Sequence, residues 1–266
     1  RNVGKRRRWE FAIKNNQNEN KILSETYIWN FLKPWLKKSE AYIERKAIYT
    51  FKSAISRKWR KGRIFIAGDA AHLMPPFMGQ GMCAGIRDAS NLAWKIVKCL
   101  KQRHSEKILD SYQSERFPNA KEYIETTMRM GEFVNAIEST QITDNISSNQ
   151  DGTKSMQSIK PKLGPGLGKN EDANRGIIFP QLKMKNGMTF DDKFSKNLLL
   201  IVTPELKIKS KLSKYPTIIA NEVVGLSNLL KSYNSKAIII RPDRFIFQSC
   251  NSVKNFGKFL KSLNNF

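Results

Sequence analysis

The chain has 266 residues and a formal net charge of +24, and 40% of its residues are hydrophobic, which is the composition of a globular protein. Its three cysteines, Cys83, Cys99 and Cys250, form neither a CxxC pair nor an even set. This pattern argues against a disulfide scaffold and a cysteine-rich zinc site, and it favours a reducing compartment, the cytoplasm. The longest aliphatic run, residues 198–202, is far too short to span a membrane.

The excess of basic residues does not indicate a nucleic-acid interface. Residues 151–266 hold 17 Lys but only 3 Arg, whereas proteins that read phosphates and base edges favour the forked guanidinium of Arg. The 22 Asn that accompany the Lys indicate a compositional bias. We interpret the one dense basic run, residues 5–8, as a solvated strand end. We therefore expect no nucleic-acid partner, although the positive charge can attract an anionic substrate or cofactor.

The first sixty residues predict short mixed elements. Residues 8–13 are typical of a strand, and residues 25–36 have the apolar spacing of a helix that Ser24 would cap. Residues 41–56 alternate well enough to predict extended structure. Residues 63–67 then predict a short buried strand.

Two helical segments follow a glycine- and proline-rich loop. Residues 82–100 predict a helix whose apolar positions lie on one face, namely Met82, Ile86, Ala89, Ala93, Ile96, Val97 and Leu100. Residues 105–138 predict more helix, with a Met and aromatic stripe that belongs to a core. Residues 139–175 are rich in Ser, Asn, Gly and Lys and predict a linker or a long surface loop.

A second unit is predicted to start near residue 176. Its hydrophobic runs predict four strands and a last amphipathic helix, at residues 198–202, 217–220, 237–240, 244–247 and 253–263.

The chemically informative segment covers residues 62–97. The predicted strand ends in Gly68-Asp69, which places a carboxylate just beyond its carboxyl end, where open α/β sheets bind ligands. A buried aspartate at this position can accept hydrogen bonds from a sugar-like chain of hydroxyl groups.

The loop after Asp69 combines rigidity with room for a ligand. Pro75 and Pro76 fix two φ angles, and Gly79 and Gly81 let the backbone approach a bound group without interference from a Cβ atom. Because the next helix begins there, its free N–H groups would face a negatively charged group. Small residues at 83–85 keep the first turn slim enough for a flat ring.

Other interpretations of this segment are weaker. The GxGxxxG pattern at 79–85 is close to a dinucleotide fingerprint, but the loop before it is too long for that tight turn. His72 with Asp69 does not make a convincing metal site or catalytic triad, so we expect no metal and interpret His72 as a packing and hydrogen-bonding residue. Arg87 and Asp88 are predicted to form a structural pair.

The sequence GDAAHLMPPFMGQGMCAGIRDASNLAWK, residues 68–95, resembles the second FAD-binding motif of the class A flavoprotein aromatic hydroxylases. The resemblance is to the 3-(3-hydroxyphenyl)propionate hydroxylase branch of the p-hydroxybenzoate hydroxylase family. RRWEF at 7–11, IERKAIYTF at 43–51 and LDSYQSERFPNA at 109–120 are also similar to family segments. RPDRFIF at 241–247 resembles the end of a thioredoxin-like domain in the phenol-hydroxylase branch.

The resemblance implies an α/β fold. This fold would combine part of a FAD-binding Rossmann-like domain, the end of a substrate-domain β-sheet and a C-terminal thioredoxin-like domain. The implied boundaries are 1–57 for the end of the substrate sheet and the return to the FAD domain, 58–138 for the FAD domain, 139–175 for a linker and 176–266 for the thioredoxin-like domain. The last domain would be non-redox because it has no CxxC pair.

The resemblance also implies the cofactor and its contacts. Asp69 would bind the ribityl chain of FAD, and the surrounding loop would lie along the isoalloxazine ring. The implied cofactor-binding residues are Gly68, Asp69, Pro75, Pro76, Gly79, Gln80, Gly81, Met82 and Cys83. NADH or NADPH would reduce FAD, and dioxygen would then form a flavin hydroperoxide that hydroxylates a small phenolic substrate. No catalytic base is assigned.

One departure limits the implied activity. The strand–GxGxxG–helix that opens the family is absent from these 266 residues, and so is the later DG motif in its family context, since the one Asp-Gly dipeptide, at 151–152, falls in the predicted linker. We therefore expect the C-terminal half of a longer hydroxylase, possible homodimerisation, and no hydroxylase activity from this part alone. The alternative is a non-catalytic remnant or a basic binding module. A narrower rival is a flavin hydroxylase or epoxidase acting on resorcinol or a quinone.

Overall fold

In a computed structural model of the protein, the structure describes residues 2–13, 17–102, 106–137, 159–169, 171–184, 187–191, 198–206 and 215–263. Two compact units are distinguished, residues 1–51 and residues 52–266, and each is described by itself. Among the described residues, no helix is both long and apolar enough to cross a membrane. The predicted domain boundaries within residues 52–266 stay a prediction.

The first unit is built from short elements. Strands β1 (Asn2–Val3) and β2 (Arg6–Arg7) form an antiparallel pair. Helices α1 (Glu19–Ile22) and α2 (Glu25–Leu32) follow. The predicted cap of α2 is confirmed, because the hydroxyl of Ser24 accepts a hydrogen bond from the third residue of the helix.

Aromatic packing replaces the strand predicted at residues 8–13. The rings of Trp9 and Trp35 lie 5.6 Å apart, and those of Phe11 and Phe31 lie 4.7 Å apart. These contacts hold the segment against the helical region without strand pairing. The prediction of a strand at 8–13 was therefore wrong, because the apolar residues of this segment pack singly, as aromatic rings, against the helical region.

The second unit begins with two antiparallel pairs of two-residue strands. They are β3 (Ala54–Ile55) with β6 (His72–Leu73) and β4 (Arg60–Lys61) with β5 (Ile64–Phe65). The extended structure predicted at 41–56 is thus reduced to β3. A strand does lie within residues 63–67, but β5 has only two residues, and it is not buried as predicted, because its tight hairpin with β4 leaves Ile64 73% exposed.

Two long helices carry the centre of the unit, as predicted. Helix α3 covers Gly81–Gln102, and helix α4 covers Lys107–Ile137 and continues through Pro118. The prediction that the Met and aromatic stripe of the second helix belongs to a core is confirmed in part. Tyr112 is fully buried with its ring 5.6 Å from that of Trp59, and Tyr123 is buried, whereas Met128 is 43% exposed.

The region predicted to be a linker has a packed second half. Residues 138–158 and 170 lie outside the described residues. Leu163 is buried, and the N–H of Gly164 donates to the carbonyl of Glu115 at 2.8 Å. Arg175 is also buried and donates to the carbonyl of Gly164. The described part of this segment therefore packs against α4 rather than forming a surface loop.

A four-stranded sheet forms the last part of the unit, in the order β10-β9-β7-β8. Its strands are β7 (Leu199–Val202), β8 (Thr217–Ile219), β9 (Ala237–Ile240) and β10 (Ile246–Cys250). β7 and β8 are parallel, whereas β7–β9 and β9–β10 are antiparallel. All four predicted strands are confirmed, although the last begins two residues later and runs further than expected.

Both faces of this sheet are buried, which explains why its strands are continuous apolar runs rather than alternating ones. Leu199 and Ile201 face a cluster that includes helix α5 (Leu226–Ser232). Leu200 faces the opposite cluster, which includes helix α6 (Phe256–Leu263).

Candidate functional site

The predicted ligand loop begins at a 3₁₀ turn, Gly68–Ala70, that touches the first turns of α3. Gly68 has φ +57°, and a Cβ atom built on Gly85 would lie 3.3 Å from the Gly68 Cα atom. The two backbones therefore pack directly on each other, and a larger residue at position 85 would have to displace the Gly68 turn by a few tenths of an ångström. Asp69, which was expected to be buried, is exposed and projects from this turn.

Asp88 on α3 holds the turn in place. Its Oδ2 atom accepts a hydrogen bond from the Gly68 N–H at 3.0 Å and lies 2.6 Å from His72 Nε2. Its Oδ1 atom accepts from Arg116 Nε at 2.7 Å. Asp88, His72 and Arg116 are all buried. The interpretation of His72 as a packing and hydrogen-bonding residue is confirmed.

The predicted Arg87–Asp88 pair is wrong. Consecutive side chains of a helix point about 100° apart, so those of Arg87 and Asp88 do not face each other. Arg87 instead donates to Gln80 Oε1 at 3.1 Å, and its guanidinium lies 4.8 Å from the ring centre of Tyr123. The partner of Asp88 is Arg116 from α4. Burial alone would raise the pKa of Asp88, but His72 and Arg116 outweigh it and lower that pKa.

The rest of the loop consists of a second 3₁₀ turn and a glycine turn that lead directly into α3. A second 3₁₀ turn, Pro76–Met78, ends at Gly79 with φ +61°, and a Cβ atom on Gly79 would meet nothing within 4 Å. Helix α3 starts at Gly81, and its first hydrogen bond runs from Ala84 N to the Gln80 carbonyl at 2.8 Å. The N–H groups of the first turn of a helix point outward from its end.

The structure brings all nine predicted cofactor-binding residues into one stretch between the Gly68 turn and the first turn of α3. The exposed members are Asp69, Pro76, Gly79 and Met82, and the others are buried or half-buried, namely Gly68, Pro75, Gln80, Gly81 and Cys83. The stretch thus contains an exposed carboxylate, an open glycine turn and a helix N-terminus.

Helix α3 is inverted relative to the usual amphipathic pattern. Its predicted apolar face is exposed, with Met82 at 76%, Ile86 at 60% and Leu100 at 70% exposure. The opposite face is buried and carries polar residues at helical spacing, such as Asp88 and Lys95. The sequence pattern therefore located the helix correctly, but the polar face is the one that packs on α4.

A second buried ionic cluster lies further along α3, and we call it the Glu115 cluster. Its members are Asn91, Lys95, Glu115, Arg241 and Asp243, all buried. Lys95 Nζ donates to Glu115 Oε2 at 2.8 Å and to Asn91 Oδ1 at 2.7 Å. Arg241 donates to both oxygens of Glu115, each at 2.8 Å. Asn91 Nδ2 donates to Glu115 at 3.0 Å and to Asp243 at 2.9 Å. The two cations and two carboxylates balance each other.

The cluster shifts the ionisation of its members. Burial and the nearby Arg241 outweigh the attraction of Glu115 and lower the pKa of Lys95 from 10.5 to about 8. Burial alone would raise the pKa of Glu115, but Arg241 and then Lys95 outweigh it and hold that pKa well below its usual range. Asp243 and Glu115 together raise the pKa of Arg241 despite its burial.

We expect the contribution of Lys95 to stability to increase at alkaline pH. Its pKa is about 8 in the folded chain and 10.5 as the ordinary value. Between these values the unfolded chain binds a proton that the folded chain does not, so the free energy of unfolding rises with pH, by up to about 3 kcal/mol. Urea unfolding of the wild type and Lys95→Met at pH 7.5 and pH 10.5 measures the difference. An unchanged or smaller wild-type advantage at pH 10.5 would contradict this expectation.

Sequence reasoning missed the roles of Asp88, Glu115, Arg116, Arg241 and Asp243. One signal was available on α3, where Asp88, Asn91 and Lys95 follow one another at spacings of three and four residues, opposite the apolar stripe. The partners on α4 and in the β9–β10 turn had no such signal, because their pairing depends on tertiary contact.

The sequence of this chain is similar to those of several known hydroxylases. Residues 7–127 match the FAD binding domain family. A probable NADH-specific resorcinol 4-hydroxylase from Rhodococcus jostii is 29% identical over 98% of this chain and 54% of its own length. A 3-(3-hydroxyphenyl)propionate/3-hydroxycinnamic acid hydroxylase from Burkholderia vietnamiensis is 38% identical over 47% of this chain and 23% of its own length.

Solved structures share the fold. The complex of aklavinone-11 hydroxylase with FAD and aklavinone aligns with 82% of this chain and 46% of its own, with a TM-score of 0.56 and 17% identity. An anhydrotetracycline hydroxylase from Streptomyces rimosus aligns with 79% of this chain and 46% of its own, with a TM-score of 0.54 and 19% identity. These likenesses show a mixed α/β fold in common. The chain spans about half the length of the relatives that it matches along most of its own sequence.

Proposed function

We propose that this chain, a relative of the class A FAD-dependent aromatic hydroxylases, is the C-terminal portion of a monooxygenase that hydroxylates a small phenolic substrate. The relationship and the use of FAD in this group are confirmed by the FAD binding domain match and by the hydroxylases that the chain resembles. The observation that carries the proposal is the direct packing of the Gly68 turn, which carries the exposed Asp69, on the first turns of α3, which begins just after the open Gly79 turn.

These residues fit FAD. The exposed carboxylate of Asp69 can accept hydrogen bonds from the hydroxyl groups of the ribityl chain. The open space at Gly79, where a Cβ atom would meet nothing within 4 Å, supports close approach of the backbone to a flat ring. We assign the cofactor contacts to the nine predicted residues, Gly68, Asp69, Pro75, Pro76, Gly79, Gln80, Gly81, Met82 and Cys83.

When bound, FAD would supply the redox centre through which a nicotinamide cofactor reduces dioxygen to the level needed for ring hydroxylation. The chain's own contribution is electrostatic and steric. The N-terminus of α3, which carries a partial positive charge, would stabilise negative charge on the ring. Pro75 and Pro76 would keep the loop rigid over it. The NADH-specific relative supports NADH as the reductant.

One further feature supports a longer parent protein. The exposed apolar face of α3, with Met82, Ile86 and Leu100, is a surface that another part of a FAD domain would cover. We propose domains at 1–57, 58–138 and 176–266 as expected from the resemblance. The order β10-β9-β7-β8 with one parallel pair supports a thioredoxin-like arrangement for the last. The homodimer and the cytoplasmic location stay predictions.

The alternative of a non-catalytic remnant or basic binding module is not favoured. The loop residues are intact, and the buried Asp88, His72 and Arg116 still hold the loop in place. The choice between a phenolic acid and a resorcinol-type substrate is a matter for product analysis, because the two sequence relatives differ in the substrates that their names state.

Replacing Asp69 should weaken FAD binding without unfolding the chain. The exposed carboxylate would lose charge-assisted hydrogen bonds to the ribityl hydroxyls, so Asp69→Ala should raise the FAD dissociation constant about 10–100-fold. The measurement is a fluorescence titration of FAD with the chain produced together with its upstream coding sequence. Asp110→Ala, an exposed aspartate on α4, is the matched control. Equal affinity of the two variants would refute the assigned role of Asp69.

A further inference from the structure

We infer that Arg241 and Asp243, in the turn between β9 and β10, are positioning residues for the flavin-binding segment at the start of α3. They would act through the Glu115 cluster, which joins the C-terminal sheet to both long helices. This assigns the C-terminal part of the chain a role in setting the geometry of the site rather than only a structural or dimer-forming role.

The connection consists of direct and fully buried bonds. Arg241 donates to both oxygens of Glu115 on α4, each at 2.8 Å, and Asp243 accepts from Asn91 on α3 at 2.9 Å. The guanidinium of Arg241 also lies 5.2 Å from the ring centre of Trp94 on α3. The β9–β10 turn thus contacts α3 at two positions, the amide of Asn91 and the indole ring of Trp94.

Buried charge makes this connection stiff. Lys95 and Glu115 have no exposed side-chain surface, and Arg241 and Asp243 have at most 1%. A shift of α3 that separated these groups would leave charges buried without partners, which is strongly unfavourable. The cluster therefore has one well-defined arrangement, and α3 is held in one rotation and one axial position by it.

Helix α3 transmits that position to the site. Asn91 lies ten residues after Gly81, which corresponds to about 15 Å along a continuous helix at 1.5 Å per residue. Between them, Asp88 binds the Gly68 N–H at 3.0 Å. Both parts of the candidate site, the Gly68 turn and the Gly79–Cys83 segment, are consequently attached to the same rigid element that the β9–β10 turn holds.

The inference rests on the proposed function only where it takes residues 79–83 as flavin contacts, and its test has one arm that does not involve FAD. In that arm, amide hydrogen exchange is measured on the 266-residue chain for the wild type, Arg241→Met, Asp243→Asn and the control Arg244→Met. Arg244 lies in the same turn but pairs with Asp191 at 2.8 Å and lies over the ring of Phe190. Arg244→Met therefore makes the same chemical change in the same turn, but at a residue whose described contacts include no bond to α3.

We expect Arg241→Met and Asp243→Asn to accelerate exchange of the α3 amides at Ala84–Asp88 at least tenfold, whereas Arg244→Met leaves them within twofold. Because Asp243→Asn is the milder change, it decides the matter if Arg241→Met does not fold. Unchanged α3 exchange in a folded Arg241→Met or Asp243→Asn chain would overturn the inference, and so would equal acceleration by Arg244→Met.

The second arm measures FAD affinity and the visible flavin spectrum of the chain produced with its upstream coding sequence. Arg241→Met should raise the FAD dissociation constant at least tenfold and shift the flavin absorption band, Arg241→Lys should restore part of the affinity, and Arg244→Met should match the wild type. A purely structural role predicts that the affinity of each variant falls only in proportion to its loss of stability in urea, with an unshifted flavin absorption band, and that result would overturn the inference. If the wild type binds no FAD, the proposed function fails, and the exchange arm still decides whether the turn positions α3.

Discussion

Glu115→Gln is expected to destabilise the chain by about 3–5 kcal/mol, the usual loss when one partner of a buried ionic group is removed. The carboxylate accepts hydrogen bonds from Asn91, Lys95, both outer nitrogens of Arg241 and the Leu167 N–H. An amide at this position keeps the volume but loses the negative charge and replaces an acceptor with a donor. Two buried cations would then be left with one carboxylate, that of Asp243.

The measurement for Glu115→Gln is urea unfolding followed by circular dichroism at pH 7. Glu122→Gln changes an exposed glutamate of the same helix and should alter the free energy of unfolding by no more than about 0.5 kcal/mol. A loss of less than about 1 kcal/mol for Glu115→Gln would mean that the cluster contributes far less than its burial and distances suggest.

Asp88→Asn is expected to be the second large effect, at about 3–5 kcal/mol. The variant leaves the fully buried guanidinium of Arg116 without its carboxylate partner and weakens the bonds to His72 and the Gly68 N–H. Because the Gly68 turn carries Asp69, the same substitution should also weaken FAD binding in the longer protein. Asp88→Asn therefore combines a stability loss with a loss at the site.

Calorimetry of Asp88→Asn against Asp110→Asn tests this expectation. Asp110 pairs with Arg60 at the surface, where an ion pair contributes at most about 1 kcal/mol. In acid the difference in unfolding temperature between the two variants should shrink. The pKa of Asp88 is lowered in the folded chain, so its ionised carboxylate contributes its full stability above pH 3.8, the ordinary pKa, and this contribution is lost as the pH falls below that value. Equal unfolding temperatures of the two variants at pH 7 would contradict the role of Asp88.

The regular elements of the chain were largely predictable from local patterns. Helical spacing located α3 and α4, and Ser24 identified the start of α2. Buried aliphatic runs such as residues 237–240 located the C-terminal strands. Short segments were predicted less well. Residues 8–13 have the apolar content of a strand but pack through single aromatic contacts, and residues 63–67 contribute only two residues to a hairpin.

Only the part of the candidate site that is contiguous in the sequence was predictable. The Gly68–Asp69 pair and the Gly79–Cys83 segment are contiguous in sequence, so turn chemistry and helix-start rules could be applied to them. The exposure of Asp69 was not predictable from the local sequence. The inversion of α3 and the partners of Asp88 were not predictable either, since they depend on α4 or on residues more than a hundred positions away. Local periodicity contains no information on which face of a helix is covered.

The distance along the chain between Glu115 and Arg241, 126 residues, has a consequence for how the protein is made. At roughly 5–20 residues per second, the ribosome needs about 6–25 s to reach Arg241 after Glu115 has been synthesised. During that interval Glu115 lacks the two hydrogen bonds from Arg241, so the Glu115 cluster that joins α3 to α4 cannot be completed. The packing of α3 on α4 would accordingly be completed only after the β9–β10 turn has been synthesised, and it would be sensitive to truncation before that turn.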